Sequence, residues 1–367
     1  MLQVGIVGLP NVGKSSLFNT LTAAGAPAEN YPFCTVDPNI GTVQVPDARV
    51  AKIRELSGSV EGVSTFIRFV DIAGLVKGAS RGEGLGNQFL GQIREVDAIA
   101  HVLRSFEDPD VTHVMGSVNP IRDLEIIETE LALADLEAVE RRHEKVEKKA
   151  RSGESDAIRE IAVLDRLLQA LADGHPLRAL PLSHQERNIV RELNLLTVKP
   201  VLHVLNVDEG ETGEETARFL SALGGDRRGE GPGTLALPIS LAIEAELALL
   251  DPSERREFLN ELGLEEDGSA RIIRAAYDLL GLITFFSTNE KQTTAWAIPK
   301  GTRAPEAAGV IHSDFQRGFI RAEAIGYDEF VGFGSMKAAR DSGAIRSEGK
   351  EYMVSDGDIL LFRFSVG

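Results

Sequence analysis

A glycine-rich octapeptide lies close to the start of this chain. It reads Gly8-Leu9-Pro10-Asn11-Val12-Gly13-Lys14-Ser15 and matches the pattern G-x-x-x-x-G-K-[ST]. The apolar run 4–7 before it predicts a strand, and apolar residues at helical spacing in 16–22 predict a helix after it. In such a unit the backbone cradles a phosphate, the lysine reaches the outer phosphates and the serine hydroxyl suits Mg²⁺. The octapeptide therefore predicts a nucleoside triphosphate site, against the alternative of a chance glycine turn.

Length and composition limit what surrounds this loop. The chain has 367 residues, which predicts two or three domains, and 43% of them are hydrophobic. No apolar run is long enough to span a bilayer and no signal-peptide pattern opens the chain, so we expect a cytoplasmic protein without a membrane partner. The single cysteine cannot form an internal disulfide, and a net charge of −17 argues against a generally basic nucleic-acid-binding surface.

Two segments downstream have the character of nucleotide-sensing loops. In the proline-broken segment 28–37, Thr35 is predicted to close over Mg²⁺ and the γ-phosphate, unless it is an ordinary loop threonine. Asp71 ends a predicted strand, where an acid holds Mg²⁺ through water, and Gly74 leaves the backbone free to meet the γ-phosphate. The glycine-dense run 75–86 that follows is interpreted as a second switch.

The position that orients the attacking water in Ras-like enzymes is apolar in this chain. Those enzymes carry a glutamine directly after the glycine of the second switch, whereas Leu75 can neither donate nor accept a hydrogen bond. Another group must therefore assist hydrolysis. The polar connection 104–118 contains His113 as a candidate, and a packed or exposed loop histidine is the alternative.

A long helical region interrupts the alternation of strands and helices. From Arg122 onward apolar residues recur at steps of three and four, a second periodic run covers 158–171, and a turn at 149–153 separates them. This pattern predicts an antiparallel helical hairpin. The tip of the hairpin is positively charged, although the protein as a whole is negatively charged. It is interpreted as a surface for ribosomal RNA, with a solvated helix face as the alternative. The tip cations are Arg141, Arg142, Lys145, Lys148, Lys149 and Arg151.

A later buried strand, 199–205, ends in Asn206-Val207-Asp208-Glu209. Guanine-specific switches read Asn-Lys-x-Asp here, and the aspartate accepts hydrogen bonds from two guanine donors while the lysine stem covers the base. Val207 stands at the lysine position and Glu209 at the acid position. Adenine offers neither donor, so the departure predicts a pocket that tolerates adenine, with a chance turn as the alternative. Ser240, after the next predicted strand, is placed to border the base.

The chain changes character again at Gly281. Strand-like segments at 283–287, 293–298 and 358–364 alternate with helical ones, which predicts a small α+β module of about ninety residues. Because the module shows no paired catalytic residues, we expect it to bind a partner.

Taken in this order, the motifs resemble one family, the YchF or Obg-like ATPases, a branch of the translation-factor-related nucleotide switches. The resemblance covers essentially the whole chain. It depends on the phosphate loop, the Tyr31-Pro32-Phe33-Cys34-Thr35 segment, Asp71-Ile72-Ala73-Gly74-Leu75, the glycine-rich run to Asn87, the Asn206-Val207-Asp208-Glu209 replacement, and a closing module that looks like a TGS domain.

The resemblance implies ATP preferred over GTP, Mg²⁺, a helical insertion, association with the ribosome, and hydrolysis without the usual glutamine. By similarity, His113 matches the histidine thought to serve catalysis in this family. Asn11 matches the phosphate-loop asparagine that potassium-activated relatives use to hold K⁺.

The expected fold is an α/β P-loop nucleotide-binding domain with an inserted antiparallel helical hairpin and a C-terminal small α+β domain that is TGS-like and ubiquitin-like. We place the nucleotide-binding domain at 1–122 and 199–281, the hairpin insertion at 123–198, and the TGS-like domain at 282–367.

The expected site residues fall into three groups. His113 and Lys14 are the catalytic candidates. The metal candidates are Ser15, Thr35 and, through water, Asp71, with Asn11 for K⁺. Nucleotide contacts are expected from Asn11, Val12, Gly13, Lys14, Ser15, Ser16, Phe33, Cys34, Thr35, Gly74, Asn206, Val207, Glu209 and Ser240.

These expectations describe an Mg²⁺-dependent ATPase that acts as a nucleotide-controlled switch on the ribosome. It would contact ribosomal RNA through the hairpin tip and the TGS-like module. Two alternatives remain. An Obg-type GTPase in ribosome assembly would be expected to show Asn-Lys-x-Asp, and a non-catalytic RNA-binding adaptor would keep a nucleotide only for stability. Single-turnover hydrolysis with ATP and with GTP separates the three.

Overall fold

The structure is a computed structural model that describes residues 2–24, 39–74, 85–209, 213–222 and 234–365. The strands in this part of the chain are β1 (Gln3–Val7), β2 (Ile40–Gln44), β3 (Glu61–Val63), β4 (Phe66–Asp71), β5 (Ala98–Ser105), β6 (Val201–Val207), β7 (Thr234–Ile239), β8 (Leu282–Thr288), β9 (Gln292–Pro299), β10 (Phe319–Gly326), β11 (Arg346–Glu348) and β12 (Asp358–Phe364).

The helices alternate with these strands in the first part of the chain. They are α1 (Lys14–Ala24), α2 (Ala48–Ser57), α3 (Leu85–Glu95), α4 (Pro120–Arg151), α5 (Ser155–Ala172), α6 (His184–Leu193), α7 (Glu214–Ala222), α8 (Leu241–Leu247), α9 (Pro252–Glu261), α10 (Gly268–Leu279), α11 (Ala304–Ile311), α12 (Ser313–Arg317), α13 (Tyr327–Phe333) and α14 (Met336–Asp341), with a 3₁₀ turn at Leu177–Ala179. Among the helices that the structure describes, none combines the length and apolar character needed to cross a membrane.

The first compact unit contains Met1–Thr42 and Arg68–Leu279. Its sheet has the strand order β2-β4-β1-β5-β6-β7. β1 pairs in parallel with β4 and β5, and β5, β6 and β7 continue in parallel. Because parallel strands share a carboxyl edge, the loops after β1, β4, β5, β6 and β7 converge at one edge of the sheet. Asp71 and Asn206 lie at the carboxyl ends of β4 and β6, and the phosphate loop, His113 and Ser240 follow the ends of β1, β5 and β7.

The inserted hairpin has its own apolar core within this unit. α4 and α5 bury Val139, Val146, Leu164 and Leu167 together. Asp135 ties the base of the hairpin to the segment before β6, since its carboxylate accepts hydrogen bonds from the N–H groups of residues 196 and 197 and from the Thr197 hydroxyl at 2.7–2.8 Å. Burial raises the pKa of Asp135, although these donors oppose the shift.

The second compact unit contains Val43–Ile67 and Leu280–Gly367. Its sheet has the strand order β11-β10-β12-β8-β9-β3. One face carries the core of Phe285, Ile298, Phe319 and Leu360, against which the alanines of α11 pack. The strand β10, which was not predicted, lies between β11 and β12 and pairs with both in the antiparallel sense.

The predicted domain boundaries differ from the structure in residues 43–67, which we expected in the nucleotide-binding domain. β3 pairs in parallel with β9, with Glu61 opposite Gln292. Val50 and Ile53 of α2 are buried in a cluster of the second unit that also contains Phe286. The segment lies with the second unit because its apolar helix face is buried there and its short strand completes the sheet edge.

Candidate nucleotide-binding site

The phosphate loop has the backbone shape that its glycines predict. Gly13 has a φ of +104°, and a Cβ atom there would lie 2.8 Å from Asn206 Nδ2, so a side chain is excluded by conformation and by space. Lys14 Nζ donates to the Leu9 carbonyl at 2.9 Å and therefore lies back across the loop. Burial lowers the pKa of Lys14, and the charge of Asp71 opposes this shift. The lysine thus lies over the loop. Because its ammonium group is largely buried there, the negative charge of a bound phosphate would stabilise it.

The two described metal candidates lie next to each other. Ser15 Oγ donates to Asp71 Oδ2 at 3.1 Å, which brings the start of α1 to the end of β4. A Cβ atom at Gly74 would lie 3.0 Å from Lys14 Nζ, so the segment after β4 approaches the lysine as expected. One hydroxyl and one carboxylate at a phosphate loop are the oxygen ligands that Mg²⁺ accepts together with nucleotide phosphates. No cluster of three or more acidic, histidine or cysteine ligands occurs in the described ranges.

Asn206 joins the phosphate loop to the base side of the cleft. Its side chain is buried, Nδ2 donates to the Val12 carbonyl at 3.1 Å, and Oδ1 accepts from the Leu241 N–H at 3.3 Å. Ser240 caps α8 by accepting a hydrogen bond from the Ile243 N–H. Asn206 therefore holds two loops of the carboxyl edge in a fixed relation.

A cleft of about 420 Å³ opens beside these residues. The expected contacts Asn11, Gly13, Ser16, Asn206, Val207 and Ser240 line it. Val207 is 8% exposed and packs against Phe219 and the apolar residues of β5 and β6, so it is largely a core residue. Asp208 also lines the cleft, whereas Glu209, the expected acid, is exposed and lies outside the lining.

Two residues at and just after the end of β5 were missed from the sequence. Phe106 lines the cleft. Arg104, which we expected in a polar connection, is the penultimate residue of β5 and is 1% exposed. Its guanidinium donates to the carbonyls of Phe106, Asp108 and Val111 at 2.8–3.3 Å and lies 4.4 Å from the Phe106 ring centroid. A buried guanidinium needs such partners, and the sequence does not reveal them because all three are backbone groups of a loop.

His113 is packed into the unit in this structure. Its Nδ1 accepts from the Met115 N–H at 3.1 Å, and its Nε2 lies 2.9 Å from Asp123 Oδ2. The adjacent Thr112 carbonyl accepts a hydrogen bond from Asn11 Nδ2 at 3.1 Å. The structure therefore brings the His113 loop to the phosphate loop through Thr112, while Nδ1 of His113 is bonded to Met115 and Nε2 faces Asp123.

Some expected site residues cannot be placed. Phe33, Cys34 and Thr35 of the first switch lie outside the described residues. The same holds for the second switch from Leu75 to Gly84. Their roles remain predictions.

The cationic tip of the hairpin is partly neutralised by its own carboxylates. Arg142 contacts Glu160 at 2.5 Å, Arg151 contacts Glu147 at 2.6 Å, and Arg141 lies 3.5 Å from Glu137. Lys145, Lys148 and Lys149 are exposed and have no ion pair within the described part of the chain. The free positive charge of the tip therefore belongs to the three lysines.

A parallel sheet with a phosphate loop after its first strand, an acid after a neighbouring strand and a base-side cleft defines a P-loop nucleotide-binding protein. Comparisons with known families agree. Residues 3–146 match the MMR_HSR1 family, described as a 50S ribosome-binding GTPase. Residues 282–365 match the YchF-GTPase_C family, described as a protein of unknown function.

Full-length relatives narrow this class. The chain is 48% identical over 369 residues to the Ribosome-binding ATPase YchF of Bacillus subtilis, covering 100% of both. It is 50% identical over 364 residues to the protein of that name from Escherichia coli O157:H7, covering 99% of each. The solved structure of the Schizosaccharomyces pombe YchF GTPase matches with a TM-score of 0.88 at 37% identity, covering 99% of this chain and 97% of that one. The chain belongs to the YchF family, which confirms the predicted resemblance.

Proposed function

We propose that this protein is an Mg²⁺-dependent nucleoside triphosphatase that prefers ATP to GTP and acts as a nucleotide-controlled switch on the ribosome. The observation that carries the proposal is the convergence of Lys14, Ser15 and Asp71 at the phosphate loop. The two Escherichia coli and Bacillus subtilis relatives are named ribosome-binding ATPases, whereas the Schizosaccharomyces pombe relative is named a GTPase. The names of the relatives therefore do not decide between ATP and GTP.

The metal part of the proposal depends on the fit of the oxygen donors. Ser15 would bind Mg²⁺ directly and Asp71 through water, with Thr35 as the expected third residue. When bound, Mg²⁺ would neutralise charge on the β- and γ-phosphates. Lys14 would leave the Leu9 carbonyl to bind the outer phosphates, since a phosphate oxygen is the stronger acceptor for an ammonium group.

ATP preference is supported by the base side of the cleft. A buried Val207 provides no lysine stem over the base, and Glu209 does not line the cleft. Guanine would lose the carboxylate that pairs with its two donors, and that loss removes the main advantage of guanine over adenine. Asp208, which does line the cleft, is the acid left to contact the nucleoside.

His113 is proposed as the catalytic residue that replaces the missing glutamine. Its loop lies beside the phosphate loop through the contact between Thr112 and Asn11. A change in this loop would carry an imidazole toward the γ-phosphate, where it could orient the attacking water. Asn11 is proposed to hold K⁺ through its amide oxygen, which is a suitable ligand because its amide nitrogen already bonds the loop.

Ribosome binding is proposed to use the hairpin tip and the C-terminal module. The three free lysines at the tip would contact phosphates of ribosomal RNA. The names of the relatives support the partner, and the charge pattern supports the surface.

Single-turnover hydrolysis with ATP and GTP, each with Mg²⁺ or with EDTA, tests the enzymatic proposal. We expect Mg²⁺-dependent hydrolysis that is faster with ATP, and a further stimulation when K⁺ replaces Na⁺. Equal rates with both nucleotides would refute the base preference, faster GTP hydrolysis would favour the Obg-type alternative, and binding without hydrolysis would favour the adaptor.

A further inference from the structure

The first turn of α4 places a carboxylate inside the His113 loop. The side chains of His113 and Asp123 are 3% and 1% exposed, and His113 Nε2 lies 2.9 Å from Asp123 Oδ2. The two atoms are close enough for an ion-pair contact, but within the described residues neither has a hydrogen-bond partner of good geometry. Because a backbone N–H occupies Nδ1, the ring proton must be on Nε2, which faces the carboxylate.

The other oxygen of Asp123 connects the same helix turn to the loop. Oδ1 accepts from Arg122 Nε and Nη2 at 3.0 and 2.8 Å. Arg122 in turn donates to the hydroxyl and the carbonyl of Ser117 at 3.0 and 2.6 Å. The loop is thus fastened to the start of α4 at two points, and Asp123 takes part in both.

This arrangement has a direct consequence for His113. With Nδ1 bonded to Met115 and Nε2 against Asp123, neither nitrogen can bond a water or a phosphate oxygen. Departure of the imidazole would remove the 2.9 Å contact that faces the buried Oδ2, which has no hydrogen-bond partner within the described residues, and leaving a buried charge without such a contact is costly. Asp123 therefore opposes the movement that a catalytic His113 requires.

We propose that Asp123 is a positioning residue that holds His113 and its loop in a resting position, and that hydrolysis follows only when the start of α4 releases them. The inference depends on the catalytic role proposed above for His113. It adds the element that controls that residue, namely the first turn of the hairpin helix.

The test uses the full-length protein with Asp123→Asn, which removes the charge at nearly constant volume. We expect kcat for ATP to rise roughly tenfold with KM unchanged, about the effect of losing one close contact with a buried charged group. Amide hydrogen exchange at Met115 should become faster, because its acceptor His113 is freed. A merely structural residue would not raise kcat when mutated. Asp123→Glu, which keeps the charge, should restore values near those of the wild type.

The chain offers a matched control in a second histidine and aspartate pair. His143 Nε2 lies 3.0 Å from Asp165 Oδ1 on the hairpin, but these side chains are 24% and 60% exposed. Asp165→Asn should change neither kcat nor exchange at Met115. If circular dichroism shows that Asp123→Asn is unfolded, Asp123→Ser takes its place, since serine also removes the charge and has a small side chain.

The outcomes separate this inference from the function on which it depends. A rise in kcat that disappears in the double variant Asp123→Asn with His113→Ala supports both. Unchanged kcat and unchanged Met115 exchange in a folded Asp123 variant overturn the holding role, whatever His113 does. Wild-type hydrolysis by His113→Ala alone overturns the catalytic role of His113 and, with it, the control of hydrolysis assigned to Asp123.

Discussion

The phosphate side and the base side of the cleft are held by different kinds of interaction. On the phosphate side, backbone conformation at Gly13 and the Leu9 carbonyl define where Lys14 lies. On the base side, side chains hold the loops in place. Asn206 bonds two separate loops, and Arg104 donates to three backbone carbonyls of the loop that contains Phe106. The first side is specified by eight consecutive residues, and the second by separate segments of the chain that contain Arg104, Asn206 and Leu241. We therefore expect a substitution on the phosphate side to cause a large loss of hydrolysis at one point. A substitution on the base side should instead disturb several loops at once, with a smaller effect.

The largest effect should come from Lys14→Ala. The variant loses the ammonium group that we propose binds the outer phosphates, so we expect kcat to fall by a factor on the order of 10³. Single-turnover ATP hydrolysis measures it. Lys52→Ala is the matched control, because Lys52 pairs with Glu55 on the surface of the second unit. Hydrolysis at the wild-type rate in Lys14→Ala would contradict the role assigned to Lys14 on the phosphate side.

His113→Ala tests whether catalysis depends on a residue outside the phosphate motif. We expect turnover to fall by a factor of about 10² with ATP affinity nearly unchanged, as for a group used mainly in the transition state. Equilibrium binding of a fluorescent ATP analogue provides the second readout. A matching loss of affinity would assign His113 a role in binding instead.

On the base side, Val207→Lys combined with Glu209→Asp should shift the ATP to GTP affinity ratio toward GTP. Restoring both guanine partners should contribute about 1–3 kcal/mol. Because Val207 packs against Phe219, the variant's fold must be checked by circular dichroism. Glu209→Asp alone should have less effect than Asp208→Asn, since only Asp208 lines the cleft. An unchanged ratio in the folded double variant would contradict the adenine-tolerant pocket.

The strands β5 and β6, beneath both sides of the cleft, contain a buried histidine pair that should make the free energy of unfolding depend on pH. His101 and His203 lie opposite each other on β5 and β6, with ring centroids 5.7 Å apart. Burial, with a smaller effect of the Arg178 charge, lowers the pKa of His101 to about 3. Burial also lowers the pKa of His203 well below its ordinary value, with smaller effects of His101 and Arg178.

Both histidines stay neutral when folded and take up a proton when unfolded, so their contribution is present above about pH 6.5 and is lost as pH falls toward 3. We expect the free energy of unfolding to fall by up to roughly 1.4 kcal/mol per pH unit for each histidine. Urea unfolding between pH 7.5 and 5 measures this. His101→Gln should reduce the slope. An identical slope in His101→Gln would contradict the assignment.

The smallest effect is expected at the hairpin tip. Reversal of Lys145, Lys148 and Lys149 to glutamate should weaken co-sedimentation with ribosomes and reduce its salt dependence by roughly one unit of slope for each lost contact. Arg151→Glu alone should change the slope less than Lys148→Glu, because Arg151 already pairs with Glu147. ATP binding should not change. Unaltered pelleting across a salt series would make the tip an ordinary solvated face.

The sequence predicted the two-part fold and the hairpin because they depend on local patterns. The phosphate loop, the strand ending at Asp71 and the periodic runs of α4 and α5 can all be recognised in short windows. The burial of Val207, the exposure of Glu209 and the fastening of Arg104 could not be predicted, because they depend on which loops meet at the carboxyl edge of the sheet. His113 was named from resemblance, and its contact with Asp123 required the position of α4.

The assignment of residues 43–67 to the second unit has a consequence for how the protein is made. The strand partner of Glu61 is Gln292, which is synthesised about 230 residues later. At about 5–20 residues per second, this interval corresponds to roughly 10–50 s of synthesis. Throughout it, Val50 and Ile53 of α2 lack the apolar cluster that buries them in the finished protein. We therefore expect the second unit to be the last to fold on the ribosome. A chain truncated near residue 280 should aggregate, although its nucleotide-binding sequence would be intact.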